Sequence, residues 1–121
     1  MPGHIEEHHG IGVLVADADG PAVTTVQDAL DLIGEAFQGA QVVALPAARL
    51  TGDFFTLGTG LAGEIMQKFV NYRIRLVVLG DLGRWLERSS ALRALVAESN
   101  RGEHVWFLAD LGELAERLKD G

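Results

Sequence analysis

The sequence contains no cysteine. Disulfides, thiol catalysis and thiolate metal sites are therefore excluded, and the redox compartment is left open. Bases are scarce too: 10 Lys and Arg stand against 17 Asp and Glu, a net charge of −7 at pH 7. The imbalance is local. Residues 1–53 carry eight acids against Arg49 alone, residues 54–109 carry seven bases against five acids, and the tail from Asp110 is acidic again. A nucleic-acid binder would gather bases on one face to meet phosphates, so no nucleic-acid partner is expected. No apolar run approaches the roughly 20 residues of a membrane span. The opening MPGHIEEHHG lacks the basic region and apolar core of a secretion signal. The expectation is a cytoplasmic protein with no membrane partner. A Gly-x-Ser-x-Gly nucleophile elbow and a phosphate-binding Gly-rich loop ending in Lys-Ser or Lys-Thr are also missing.

What is present is apolar and periodic. With 48% hydrophobic residues in 121, the chain can bury about two-thirds of its unfolded surface as one domain, residues 1–121. Ile5 to His8 reads as a short strand, turned at His9-Gly10 into Ile11 to Ala16, after which Asp17, Asp19, Gly20 and Pro21 break the pattern. Thr24 with Gln27 fits a capping box, and Val26, Ala29, Leu30, Ile33 and Phe37 trace one helical face as far as Gly39. Gln41 to Leu45 is a strand ended by Pro46, with Ala47 to Gly52 as loop. Asp53 starts a helical turn with Phe54 or Phe55 inward.

The clearest helix follows. Leu61, Ile65 and Phe69 recur every four residues, flanked by Ala62, Met66 and Val70, with Thr59 as N-cap between Gly58 and Gly60. Ile74, Leu76, Val77, Val78 and Leu79 form a strand whose stretch from Leu76 to Leu79 is continuously apolar, as expected of a parallel strand covered on both faces. Asp81 to Arg88 reads as loop or a short turn holding Trp85. Ser89 or Ser90 caps a helix to about Ser99, with Leu92, Leu95 and Val96 inward and Asn100 and Gly102 at its exit. His104 to Ala109 is the last strand, and Asp110 caps a closing helix through Lys119 with Leu111, Leu114, Ala115 and Leu118 on one side. The order ββαβαβαβα predicts an α/β domain with a mostly parallel sheet of four or five strands, the helices covering one face or both.

Two resemblances attach to these residues. DFFTLGTGLAGEIMQKFVNYRIRLVVLGD and LVAESNRGEHVWFLAD resemble the bacterial family of domain of unknown function 4180, from about Gly12 to Leu118 and most specifically in GLAGEIMQKFVNYR and ESNRG. That family brings no activity or catalytic residue with it. The element order and Thr59-Gly60-Leu61 are more distantly similar to STAS-like domains, the fold of anti-sigma factor antagonists. There a Ser/Thr-Gly-Leu segment opens the helix after the third strand and its hydroxyl is phosphorylated by a partner kinase. Leu57-Gly58 replaces the Asp-Ser that precedes this segment in the commoner motif. The resemblance implies a single STAS-like α/β domain acting as a non-enzymatic regulatory or interaction module, with a protein partner or a homodimer and no cofactor.

Candidate residues follow from both readings. Thr59 and Gly60 would form a phosphoacceptor or anion cradle, against a plain capping role. Phe54, Phe55 and Thr56 would form a partner surface, because neighbouring helical positions do not both point inward. The alternative function is a small ligand-binding protein or enzyme, with Asp17, Asp81, Arg84 and Trp85 at the carboxyl ends of the strands. Glu64, Gln67, Lys68 and Asn71 read as a solvated helix face with a Glu64–Lys68 pair. Tyr72, Arg73 and Arg75 stand at the opposite end of the strand from a typical α/β site and take a structural role. His4, His8 and His9 beside Glu6 and Glu7 read as a frayed, solvated terminus rather than a metal site, and His104 as structural.

Overall fold

A computed structural model describes residues 3–120; the outermost residues of the predicted domain lie outside that range. The elements are β1 (Gly3–His8), β2 (Ile11–Ala16), α1 (Val26–Ala36), β3 (Val42–Pro46), α2 (Gly52–Phe55), α3 (Leu61–Asn71), β4 (Arg75–Leu79), α4 (Gly83–Arg88), α5 (Ser90–Arg101), β5 (Val105–Leu108) and α6 (Leu111–Asp120). They build an α/β fold with a five-stranded mixed sheet in the sequential order β1-β2-β3-β4-β5. β1 pairs antiparallel with β2, and the other three pairings are parallel.

The hairpin turn is made by His9 and Gly10, with φ of +54° and +82°. Positive φ at both central residues gives a turn whose twist matches the flanking strands. His4, Glu6 and His8 are therefore ordered in an edge strand, and the frayed terminus expected there is corrected. On one face of β1, Glu6 lies between the two imidazoles, 2.6 Å from His4 Nε2 and 3.0 Å from His8 Nε2. These contacts hold the Glu6 carboxyl below its ordinary range.

Sequential strand order settles which helices cover which face. Each parallel crossover steps to the next strand in one direction, so crossovers of one hand lie on one face. The larger core joins Ala29 and Ile33 of α1, Ile65 and Phe69 of α3 and Leu92 of α5 to Leu14, Val43, Leu76 and Phe107 of the sheet. On the opposite face, Leu114 and Leu118 of α6 pack on Val13, Val42, Val77 and Trp106. β3 and β4 are thus covered on both sides, and Leu76, Val77 and Val78 are fully buried.

Several local expectations shift. The capping box is Thr25 with Asp28, not Thr24 with Gln27, because the helix begins at Val26. Thr25 Oγ1 accepts from Asp28 N at 3.2 Å, while Asp28 accepts from Thr24 N and Thr25 N at 3.0 and 3.1 Å. Phe37, the C-cap, is 59% exposed, because the buried stripe of α1 is Ala29, Leu32, Ile33 and Ala36 and Phe37 stands beside it. The ring meets Tyr72 edge to face at 5.9 Å. The expected loops after β3 and β4 are partly helical. A 3-10 turn, Ala47–Arg49, precedes α2, and α4 occupies most of Asp81 to Arg88.

Two measurements test this packing. Phe69 has no exposed surface, so Phe69→Ala is expected to destabilise the fold by about 3–5 kcal/mol in denaturant unfolding. Thr24 N–H, the largest cause, holds the Asp28 carboxyl below its ordinary range. The stability this contributes is present above the unfolded aspartate pKa and lost as pH falls through the depressed folded value. Asp28→Ala is expected to flatten the acid-side stability profile, and Thr25→Ala to cost about 1 kcal/mol.

Candidate functional site

The segment from Thr51 to Ala62 folds as one helical turn followed by a 3-10 turn, Leu57–Thr59, before α3 begins. Phe54 and Phe55 are 0% and 4% exposed, so both point inward. This corrects the expectation that one of them forms part of an exposed surface. Phe54 enters the main core, while Phe55 turns towards α4 and stacks on Trp85 with centroids 5.0 Å apart and planes at 16°. A four-residue helix wedged between two packed bodies can bury neighbouring positions, which a helix lying on one body cannot. Of the three predicted surface residues, only Thr56 is exposed, and its hydroxyl donates to Gly52 O at 2.8 Å. Thr51 Oγ1 is buried and has no hydrogen-bond partner among the described residues.

Thr59 is exposed but engaged. Its Oγ1 lies 2.7 Å from Asp53 O and 2.9 Å from Thr56 O, and accepts from Leu61 N at 3.3 Å. The N-cap position belongs instead to Gly60, at φ +80°, so the expected cap is displaced by one residue. Thr59 serves a first-turn donor from outside the helix and ties the 3-10 turn back to α2.

Gly60 opens onto a groove of about 540 Å³ between α3 and α5. α3 packs against α1 and α2, and α5 against α4 and β5, so the two leave a gap between them. Leu57, Met66, Val70, Leu95 and Val105 supply apolar lining, with Glu98, Glu103 and His104 at the rim. Gly60 and Gly63 deepen it: a Cβ built at either meets no atom within 4 Å. Sequence reasoning placed Met66 and Val70 in the core and missed this recess. Its trace in the sequence is Gly63, the third residue of α3 and a poor helix former in a strongly periodic helix.

At the carboxyl ends of β3 and β4, Asp81, Arg84 and Trp85 line a cleft of about 590 Å³ with Pro46, Ala47 and Leu50. Asp81 Oδ1 accepts from Gly83 N at 2.8 Å, and the Arg84 guanidinium sits 5.1 Å from the centre of the Trp85 ring. Asp17 is not in this cleft. It lines a neighbouring one beside α6, the two sharing Pro46 and Leu79. Three of the four expected residues therefore come together.

Two structural residues escaped sequence reasoning. Arg49 is 5% exposed, donating from Nε to Pro21 O at 2.9 Å and from Nη1 to Asp17 O at 3.2 Å. It clasps the acidic turn after β2 onto the end of β3, and its signal was being the lone base in an acidic half. Asn100 lies in the last turn of α5, one residue before its end, with Gly102 as the C-cap. Its amide accepts from Phe107 N at 2.7 Å and donates to Phe107 O at 3.2 Å, satisfying the outer edge of β5 as a paired strand would.

At the amino ends of the strands, Arg75 donates from Nε to Glu103 O at 2.6 Å. Its guanidinium lies 4.3 Å from the Trp106 ring centre, with that of Arg117 at 4.1 Å. On α3, Gln67 donates to Asn71 at 2.8 Å. The expected Glu64–Lys68 pair is not formed among the described residues, where ion pairs join only His4 and His8 to Glu6. No group of three His, Asp or Glu side chains placed to hold a metal ion, and no helix long and apolar enough to cross a membrane, occurs among the described residues.

Asn100→Leu removes both amide contacts and leaves the Phe107 backbone groups unpaired near the core. A loss of about 1–3 kcal/mol is expected in denaturant unfolding, with faster amide exchange at Phe107.

No curated protein and no solved structure matches the chain. Residues 8–118 match the family described as Domain of unknown function (DUF4180), spanning every element from the hairpin turn to α6. The chain belongs to the DUF4180 family.

Proposed function

We infer that the protein is a regulatory protein-interaction module, STAS-like in element order, whose contact surface is the groove between α3 and α5. The observation that carries this reading is the groove itself, an apolar recess opened by two glycines beside the exposed Thr59. Apolar side chains of a partner would fill it. By its resemblance to STAS-like domains, Thr59-Gly60-Leu61 would correspond to the segment whose hydroxyl is phosphorylated there. A phosphate on Thr59 would add about −1.5 to −2 charges at the lip of the groove and reject such a partner without entering the core.

The second reading, a small-ligand site, is favoured by the cleft that collects Asp81, Arg84 and Trp85 at the carboxyl ends of β3 and β4.

One experiment separates them. Gly63→Leu adds a side chain on the groove, starting from a Cβ that meets no atom within 4 Å, and removing a helical glycine adds about 0.5–1 kcal/mol of helix stability. Crosslinked affinity capture is compared for the parent, Gly63→Leu, Thr59→Asp and Arg84→Ala, with thermal unfolding of each. The expected outcome is loss of specific partners from the first two variants, both folded, and their retention by Arg84→Ala. Retention of every partner by both folded groove variants rejects the groove, and loss confined to Arg84→Ala moves the site to the carboxyl ends.

A further inference from the structure

We propose that the cleft at the amino ends of β3, β4 and β5 binds a small ligand through a carboxylate or phosphate group, with Arg73 and Arg75 as its principal contacts. The cleft measures about 370 Å³, and Gln41, Arg73, Arg75, Glu103 and His104 are its polar lining.

The first argument is the conformation of Arg73. It follows the last turn of α3 at φ +58°, with Arg73 N bonded to Val70 O and Ile74 N to Phe69 O, both at 3.1 Å. This helix-ending geometry is ordinarily filled by glycine, because a side chain at positive φ is strained. The turn therefore explains the backbone but not the arginine. A side chain kept at a position where it costs stability marks a place where its chemistry is used.

The second argument is the donor inventory. Arg75 is held by its Nε bond to Glu103 O and by the Trp106 ring, which fixes the guanidinium plane and leaves its terminal nitrogens without a hydrogen-bond partner among the described residues. Gln41 Oε1 accepts from Gly12 N at 3.0 Å, so the amide is pinned by its oxygen and its NH2 remains to donate. Neither arginine forms an ion pair among the described residues, although the chain carries a net charge of −7. Two guanidinia, an amide NH2 and the His104 imidazole form a set rich in donors, and guanidinium forks match the paired oxygens of carboxylate and phosphate. Arg117, whose guanidinium also lies over the Trp106 ring, adds positive potential. Glu103 is the opposing group: its carboxylate restrains the attraction and disfavours ligands whose charge extends across the whole cleft.

The test uses Trp106 as reporter. In Trp85→Phe protein it is the sole tryptophan, since the chain has two. Inorganic phosphate and, separately, succinate are titrated at constant ionic strength maintained with sodium chloride, while Trp106 emission is followed. A saturable change with either anion is expected, and which anion acts distinguishes the two ligand chemistries. Arg75→Gln and Arg73→Gly are each expected to weaken it by about tenfold or more. Arg73→Gly should at the same time raise the thermal midpoint, because glycine relieves the left-handed backbone. Arg73→Gln should lose binding without that gain. The proposal is overturned if neither anion gives a saturable response, or if the arginine variants bind within about twofold of the parent.

Discussion

The structure depends on one constraint: β3 and β4 are apolar on both faces and lie inside the sheet, so both faces must be covered. Parallel pairing supplies the cover for one face, because each crossover returns a helix to the same side. The other face has to be covered by a segment outside the crossovers. α6 does this, placing Leu114 and Leu118 against Val13, Val42, Val77 and Trp106. The last helix is consequently part of the core, and its amphipathic stripe of Leu111, Leu114 and Leu118 is the signature of that duty.

The groove follows from how the crossovers are fastened. α3 is drawn towards α1 and α2 by its buried stripe of Ala62, Ile65 and Phe69. α5 is drawn the other way: Ser89 caps it at Leu92 N, α4 packs along it, and Asn100 bonds it to the edge of β5. Glycine at positions 60 and 63 then leaves unfilled the space that larger residues would occupy. A recess between two firmly anchored helices retains its shape in the absence of a partner, which lowers the ordering cost of occupying it.

How much of this is legible in the sequence depends on whether one period dominates locally. α3 and β4 are legible because their apolar residues repeat at a helical interval or run continuously, and the structure places them within a residue of expectation. Phe37 misleads because it matches the helical interval from Ile33 but stands beside the buried stripe of Ala29, Leu32, Ile33 and Ala36, leaving the ring outside. Phe55 misleads for a different reason. Its burial depends on Trp85, 30 residues later, and α4 carries no cap or stripe to announce itself. Arg49 and Asn100 are invisible to periodicity, because their partners are backbone groups placed by tertiary packing. The candidate site suffers most. Asp81, Arg84 and Trp85 are neighbours in sequence and were found together, whereas the groove and the arginine cleft are each assembled from distant segments.

Those two recesses share a wall. Glu103 and His104 line both the groove between α3 and α5 and the cleft at the amino ends of the strands. The pair sits between the end of α5 and the start of β5, and its backbone is engaged on both sides: Glu103 O accepts from Arg75, and His104 O from Leu76 N at 3.1 Å. Trp106 anchors the same turn through its indole N–H, which donates to Gly102 O at 2.8 Å. A group bound by Arg75 would therefore press on a turn that also forms one end of the groove. The reverse also holds, since a coupling free energy between two sites acts equally in both directions. Gly63 and Arg73, by contrast, each face one recess alone, so substitutions there act on the two separately. The two linings meet at Glu103 and His104, and they approach again where Arg73 N bonds to Val70 O at 3.1 Å.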